Sequence, residues 1–154
     1  MDQILQELGA GISDPQQLAR VVIRLVAAAI VGAIIGLQRQ RAHKPAGLRT
    51  HMLVSLGSAV FVLVPLELQV PVGEIGRVVQ GVAAGIGFIG AGAILKRTDE
   101  GDVQGLTTAA GIWLTAAVGV AIGLGGIGIA VMATLLTWFI LSVVARIERW
   151  LGRD

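Results

Sequence analysis

Five long apolar runs separated by short polar segments account for most of the 154-residue chain. A hydrocarbon core about 30 Å thick is crossed by about 20 apolar residues in a helix. The runs at 18–37, 48–66, 78–95, 106–124 and 127–145 meet or approach that length, so the pattern predicts about five transmembrane helices. Asp14-Pro15 before the first run suits a helix start, with Asp as the cap and Pro at the first helical position. Only Gly123 to Gly126 separate the last two runs. This predicts a tight helical hairpin rather than one kinked helix, because about 40 apolar residues far exceed a single span. The fold class expected is all-α: a polytopic membrane bundle forming one domain over 1–154.

Composition agrees with that reading and narrows the chemistry. Hydrophobic residues make up 55% of the chain and charged residues only 14%, against about a quarter charged in soluble domains. Cysteine is absent, which excludes disulfides, thiolate metal sites and cysteine nucleophiles. His43 and His51 are too few for a histidine metal cage. No basic patch is interleaved with aromatics, so no nucleic-acid surface is expected. The N-terminus, with Asp2 and Glu7 ahead of the first run, lacks the pattern of a secretory signal peptide.

The basic residues set an expected orientation. Arg39, Arg41, Lys44 and Arg49 flank the first loop, Lys96 and Arg97 the third, and Arg146, Arg149 and Arg153 the tail. Short basic loops favour the cytoplasm, which puts the N-terminus outside and the C-terminus inside. Arg20 and Arg24 run against this rule. Four residues apart on one helix face, they are expected to snorkel to the outer interface.

Glycine contributes 22 residues, many inside the expected spans. Small residues let membrane helices approach closely. The pairs Gly32/Gly36, Gly81/Gly85 and Gly119/Gly123 are expected to pack within the chain, with a homodimer seam as the sharper reading for one of them. Gly85, Gly87 and Gly90 match a dinucleotide-binding pattern. That motif needs a strand before it and a helix after it, whereas these glycines continue to Gly92 inside a span. Close packing explains them better, with a broken helix as the alternative.

The polar residues beside the spans are the candidate site. Gln38 and Arg39 end the first helix, and Arg49, Thr50 and His51 begin the second. Arg49 and His51 fall inside the onset of an apolar run, where uncompensated charge is costly. They are therefore expected to face the bundle or a water-filled vestibule, with Arg39 and Arg49 anchoring a polar network. Glu74 precedes Arg77 by three residues and is its expected partner. Thr107 and Thr108 are expected to hydrogen-bond across helices. Asp99, Glu100 and Asp102 form an acidic loop, most simply solvated. No nucleophile elbow, buried carboxylate pair or metal-ligand spacing appears, so no enzyme and no cofactor is expected, and any metal site is left unassigned.

Three strings carry a specific resemblance: GAIIGLQRQRAHKPAGLRTHMLVSLGSAVF from Gly32 to Phe61, RVVQGVAAGIGFIGAGAILK from Arg77 to Lys96, and GLTTAAGIWLTAAVGVAIGLG from Gly105 to Gly125. Together they cover about half the chain, and they resemble the MgtC/SapB family of bacterial inner-membrane proteins. The resemblance implies a five-span domain and a role in adaptation to low Mg²⁺. In pathogens it implies virulence, and it includes restraint of the proton-driven ATP synthase. Two departures stand out. Gln38 sits where the family usually has Glu, and the length resembles the short form, or a membrane domain trimmed of the cytoplasmic C-terminal domain of the longer type. Glu74, where the family acid is often Asp, is a milder change.

These observations lead to an expected non-enzymatic regulator of Mg²⁺ homeostasis. It would act in the lipid bilayer on a partner such as the ATP synthase or a cation transporter, with Mg²⁺ as a possible ligand and a homodimer favoured. The alternative is a small transporter or channel for Mg²⁺ or a counter-anion.

Overall fold

A computed structural model describes residues 14–96 and 103–152. Five helices in it are long and apolar enough to cross a membrane. α1 spans Pro15–Arg41, α2 Leu48–Glu67, α3 Val72–Gly92, α4 Leu106–Gly123 and α5 Ile127–Phe139. A π-helical turn, Ile140–Val144, extends α5 into α6, Ala145–Trp150. Asp2, Glu7, Arg97, the acidic loop of Asp99, Glu100 and Asp102, and Arg153 lie outside the described residues.

Local chemistry explains most of the boundaries. The Asp14 side chain accepts from the Gln16 amide at 3.0 Å and Pro15 opens α1. At 27 residues α1 is about 40 Å long, longer than the hydrocarbon core. It therefore carries Gln38 to Arg41 as helix beyond the expected end at 37. α3 begins six residues earlier than the hydropathy suggests, directly after Pro71, and stops at Gly92. Leu95–Lys96 (β1) instead pairs antiparallel with Val103–Gln104 (β2). This two-residue ribbon closes the α3–α4 loop and leaves the all-α class intact. The hairpin between α4 and α5 is present. Gly125, at φ +90°, donates to the Ile122 carbonyl, and the Gly126 amide donates to Ala121. This double bond pattern is the left-handed stop that glycine makes accessible.

α2 lies between α1 and α4 and touches both backbone to backbone. A Cβ built on Gly32 falls 2.6 Å from the His51 carbonyl oxygen, and one on Gly36 falls 2.7 Å from Leu48 Cα. A Cβ on Gly123 falls 2.8 Å from the Ala59 carbonyl oxygen, and Gly119 is tighter still against Ser55. α1 and α2 are thus antiparallel, while α2 and α4 run parallel. Around these seams pack Ala28, Val31, Ala59, Val118, Ile122 and Ala130. Large apolar side chains point outward, among them Leu53, Phe61, Phe88 and Ile129, as a lipid-facing surface requires. This is a multi-pass membrane protein.

The Gly81/Gly85 pair departs from the expectation. Neither glycine, nor Gly87 or Gly92, has any atom within 4 Å of a built Cβ. Only Gly90 packs, against Ala109 at 3.6 Å. α3 leans on α4 through Ile86 and Ile112, and its glycine pair borders an open gap toward α2.

Arg24 reaches the α4–α5 turn, where its Nη1 donates to the Gly123 carbonyl at 2.9 Å. It thereby satisfies an otherwise free carbonyl at the end of α4, where positive charge is favoured. Replacing it with Ala is expected to cost about 1 kcal/mol and lower the melting temperature by a few degrees, as read by thermal unfolding in detergent. Nearby, Gln17 Nε2 donates to Glu67 Oε2 at 2.6 Å and ties the start of α1 to the end of α2.

Candidate functional site

The end of α1 meets the beginnings of α2 and α4 at the pole of the bundle opposite Arg24. Fifteen residues, about 22 Å of helix, separate Arg24 from Arg39. Arg39 is only 3% exposed although it carries a charge. Its Nη2 donates to Thr108 Oγ1 at 2.9 Å, linking the last turn of α1 to the first turn of α4. His51 is fully buried on α2. Its Nδ1 lies 2.9 Å from the Gly47 carbonyl oxygen. A carbonyl only accepts, so Nδ1 carries the proton and Nε2 faces the interior. Gly111 of α4 stands opposite: a Cβ there would meet His51 Nε2 at 3.7 Å and nothing else outside its own helix.

Four buried polar atoms in this region have no hydrogen-bond partner among the described residues: Arg39 Nε, His51 Nε2, Ser55 Oγ and Gln38 Oε1. Buried polar atoms are normally paired, so four in one region mark it as unusual. The amide of Gln38 does have a role. Its Nε2 donates at 2.9 Å to the carbonyl of Leu141, inside the π-helical turn. Such turns widen the helix and leave carbonyls available to outside donors.

The expected site residues divide into separate groups. Arg39, His51 and Thr108 come together, with Gln38 beside them. Arg49 does not join them: it is exposed, because the second residue of α2 points away from α1 and α4. Thr50 is half-buried and Thr107 exposed, and neither makes a cross-helix bond. Glu74 and Arg77 do pair, at 3.4 Å, on the exposed start of α3. That end of α3 adjoins the end of α2, a full helix away from Arg39. Ser55 and Gly111 were not singled out by the sequence. The available signal was their spacing: Ser55 follows His51 by four residues, and Gly111, Thr115, Gly119 and Gly123 form one face of α4 at intervals of four. Thr115 returns its hydroxyl to the Gly111 carbonyl at 2.7 Å.

The arrangement holds one buried charge, Arg39. Among the described residues no group of three or more His, Asp or Glu side chains is placed to hold a metal ion. A second feature lies on the outer surface. The gap between α2 and α3 is an apolar groove of about 640 Å³, lined by Leu53, Gly57 and Phe61 on one side and Val78, Gly81 and Gly85 on the other.

Comparison with known proteins adds three relatives. A model described as the MgtC family matches residues 25–150. Protein SrpB of Synechococcus elongatus is 48% identical over 144 residues, covering 85% of this chain and 79% of that protein. The putative magnesium transporter YhiD of Escherichia coli is 42% identical over 132 residues, covering 81% of this chain and 60% of YhiD. Protein MgtC of Salmonella typhimurium is 42% identical over 116 residues, covering 75% of this chain and 48% of MgtC. The chain therefore spans only about half to three-fifths of the last two relatives. No solved structure matches.

Proposed function

Because this chain belongs to the MgtC family, we propose that it is a non-catalytic regulator of Mg²⁺ handling in the bacterial inner membrane. It acts by docking its α2–α3 face on a membrane partner, with the ATP synthase or a cation transporter as candidates. The N-terminus lies outside and the C-terminus in the cytoplasm, following the basic loops. The observation that carries this reading is the uncovered pair Gly81 and Gly85. Each has open space where a Cβ would stand, and together they edge the groove described above. Small residues on a membrane helix invite a second helix to close approach. The two other glycine pairs are occupied within the chain, so this one is available to another chain, a second copy included.

The transporter reading draws support from the name of YhiD, a putative magnesium transporter. The interior argues against Mg²⁺ as cargo. Mg²⁺ is held by carboxylates and retained water, yet the buried charge is Arg39, and Glu67 and Glu74 sit at helix ends.

The double substitution Gly81→Leu/Gly85→Leu tests the docking face. Among the described residues no atom lies within 4 Å of a Cβ at either position, so the variant is expected to accumulate and melt like the parent. It is also expected to lose recovery of its membrane partner and growth support at low Mg²⁺. Unchanged growth and partner recovery would refute the docking face. Mg²⁺ uptake into proteoliposomes above empty vesicles would favour the transporter instead.

A further inference from the structure

α3 carries an amide in the middle of the membrane. Its 21 residues span about 31 Å, which matches the hydrocarbon core of about 30 Å. Gln80 is exposed and lies two residues, about 3 Å, from the helix midpoint. Its amide is therefore at least about 12 Å from either interface, too deep for two methylenes to carry it to water as a longer side chain would be carried. It makes no hydrogen bond to any described residue. The serines and threonines in the central half of the spans, Ser55, Ser58, Thr115, Thr134 and Thr137, are all buried. An amide both donates and accepts, and hydrocarbon offers neither partner.

The residues that share this side of α3 are small. Gly73, Gly76, Gln80, Ala84, Gly87 and Ala91 follow one another at intervals of three, four, four, three and four, and every one is exposed. That spacing holds one face of a helix toward a neighbour. A Cβ built on Gly73, Gly76 or Gly87 meets no described atom within 4 Å beyond its own stretch of helix. At about 100° per residue, Gln80 stands about 140° round α3 from Gly85 and about 160° from Val78. This side is therefore not the groove that faces α2. It borders instead a notch between α3 and α4, walled by Gly87, Ala91 and Trp113.

We propose that Gln80 is the centre of a homodimer seam, in which α3 crosses α3 of a second copy and the two Gln80 amides hydrogen-bond to each other. Depth and chemistry select this occupant. Two copies inserted the same way present Gln80 at the same level, so a two-fold axis along the membrane normal sets each amide against its own counterpart. A glutamine amide is its own complement: an N–H of each donates to the Oε1 of the other, and the two reciprocal bonds satisfy both. A different partner would have to supply a donor and an acceptor at that same depth. The small residues on either side let the two backbones close to the distance those bonds require. Neither wall of the α2–α3 groove takes part, so the seam and the docking face stand or fall separately.

Cross-linking in native membranes provides the test, because a chain without cysteine makes each introduced thiol unique. A disulfide forms only where two Cβ atoms come within about 4.5 Å. On oxidation with copper phenanthroline, Ala84→Cys, one turn from Gln80, is expected to give a covalent dimer and Gly85→Cys none. Affinity is read by energy transfer between donor- and acceptor-labelled copies diluted in phosphatidylethanolamine–phosphatidylglycerol vesicles. Gln80→Leu is expected to weaken association about tenfold, as the loss of a membrane-buried amide pair warrants. Leucine suits a lipid-facing position, so this variant is expected to insert and accumulate at least as well as the parent. Gly81→Leu/Gly85→Leu is expected to associate like the parent. Association of Gln80→Leu as tight as that of the parent would overturn the proposal, as would a parent that is monomeric at every dilution. Cross-linking at Gly85 equal to or greater than that at Ala84 would place the second copy in the groove and overturn it as well.

Discussion

Gly119→Leu is expected to abolish accumulation of folded protein, the largest effect of any single substitution in this chain. A Cβ at this position would overlap the Ser55 carbonyl oxygen and lie 2.9 Å from Ser55 Cα. Both are backbone atoms of a helix packed on its other side against α1, so neither can yield by changing rotamer. Even Gly119→Ala must push α2 and α4 apart. It is expected to cost about 3 kcal/mol, the upper end of ordinary overpacking. The Gly81→Leu/Gly85→Leu protein is the control, because it alters the same residue type in a helix with open space at those positions. Size-exclusion profiles of detergent extracts should show the Gly119→Leu protein missing and the control intact. Equal recovery of the two would mean that the α2–α4 seam is not a close contact.

The second large effect concerns Arg39 and is expected to be non-additive. Thr108→Val preserves shape but removes the acceptor at 2.9 Å. The guanidinium then remains buried without that bond, and the loss should be about 2–3 kcal/mol, as for hydrogen bonds to charged groups. Arg39→Met removes the charge along with its need for partners, and replacing a buried charge by an apolar residue is often close to neutral. The double variant Arg39→Met/Thr108→Val should therefore be more stable than Thr108→Val alone, recovering at least half of the loss. Melting of all four proteins at one fixed salt composition closes the cycle. Additive losses would show that Thr108 supports the fold by packing rather than by holding Arg39.

The parts of this fold legible in the sequence are those decided locally. Helix lengths follow from runs of apolar residues. The start of α1 follows from Asp14-Pro15, and the α4–α5 turn from Gly123 to Gly126. Glu74 and Arg77 were also legible, being neighbours on one helix surface. What stayed hidden depends on residues far apart in the chain. Arg39 and Arg49 look alike in sequence, each near a helix end in a basic loop. One is buried because Thr108, 69 residues on, meets it, and the other is exposed. The three glycine pairs share one spacing, yet two are filled by α2 and one is open, because only tertiary packing decides which faces meet. The π-helical turn carries no local signature either. Its carbonyl partner, Gln38, lies 103 residues earlier.

The central place of α2 bears on how the protein is made. Its neighbour α1 is synthesised before it, but α4 is complete only 56 residues after α2 ends, counting from Glu67 to Gly123. At about 5–20 residues per second, roughly 3 to 11 seconds pass in which the His51 and Ser55 face of α2 has no α4 to cover it. Until then α2 can pack only on α1 and α3, and the close contacts of Gly119 and Gly123 with Ser55 and Ala59 form only once α4 emerges.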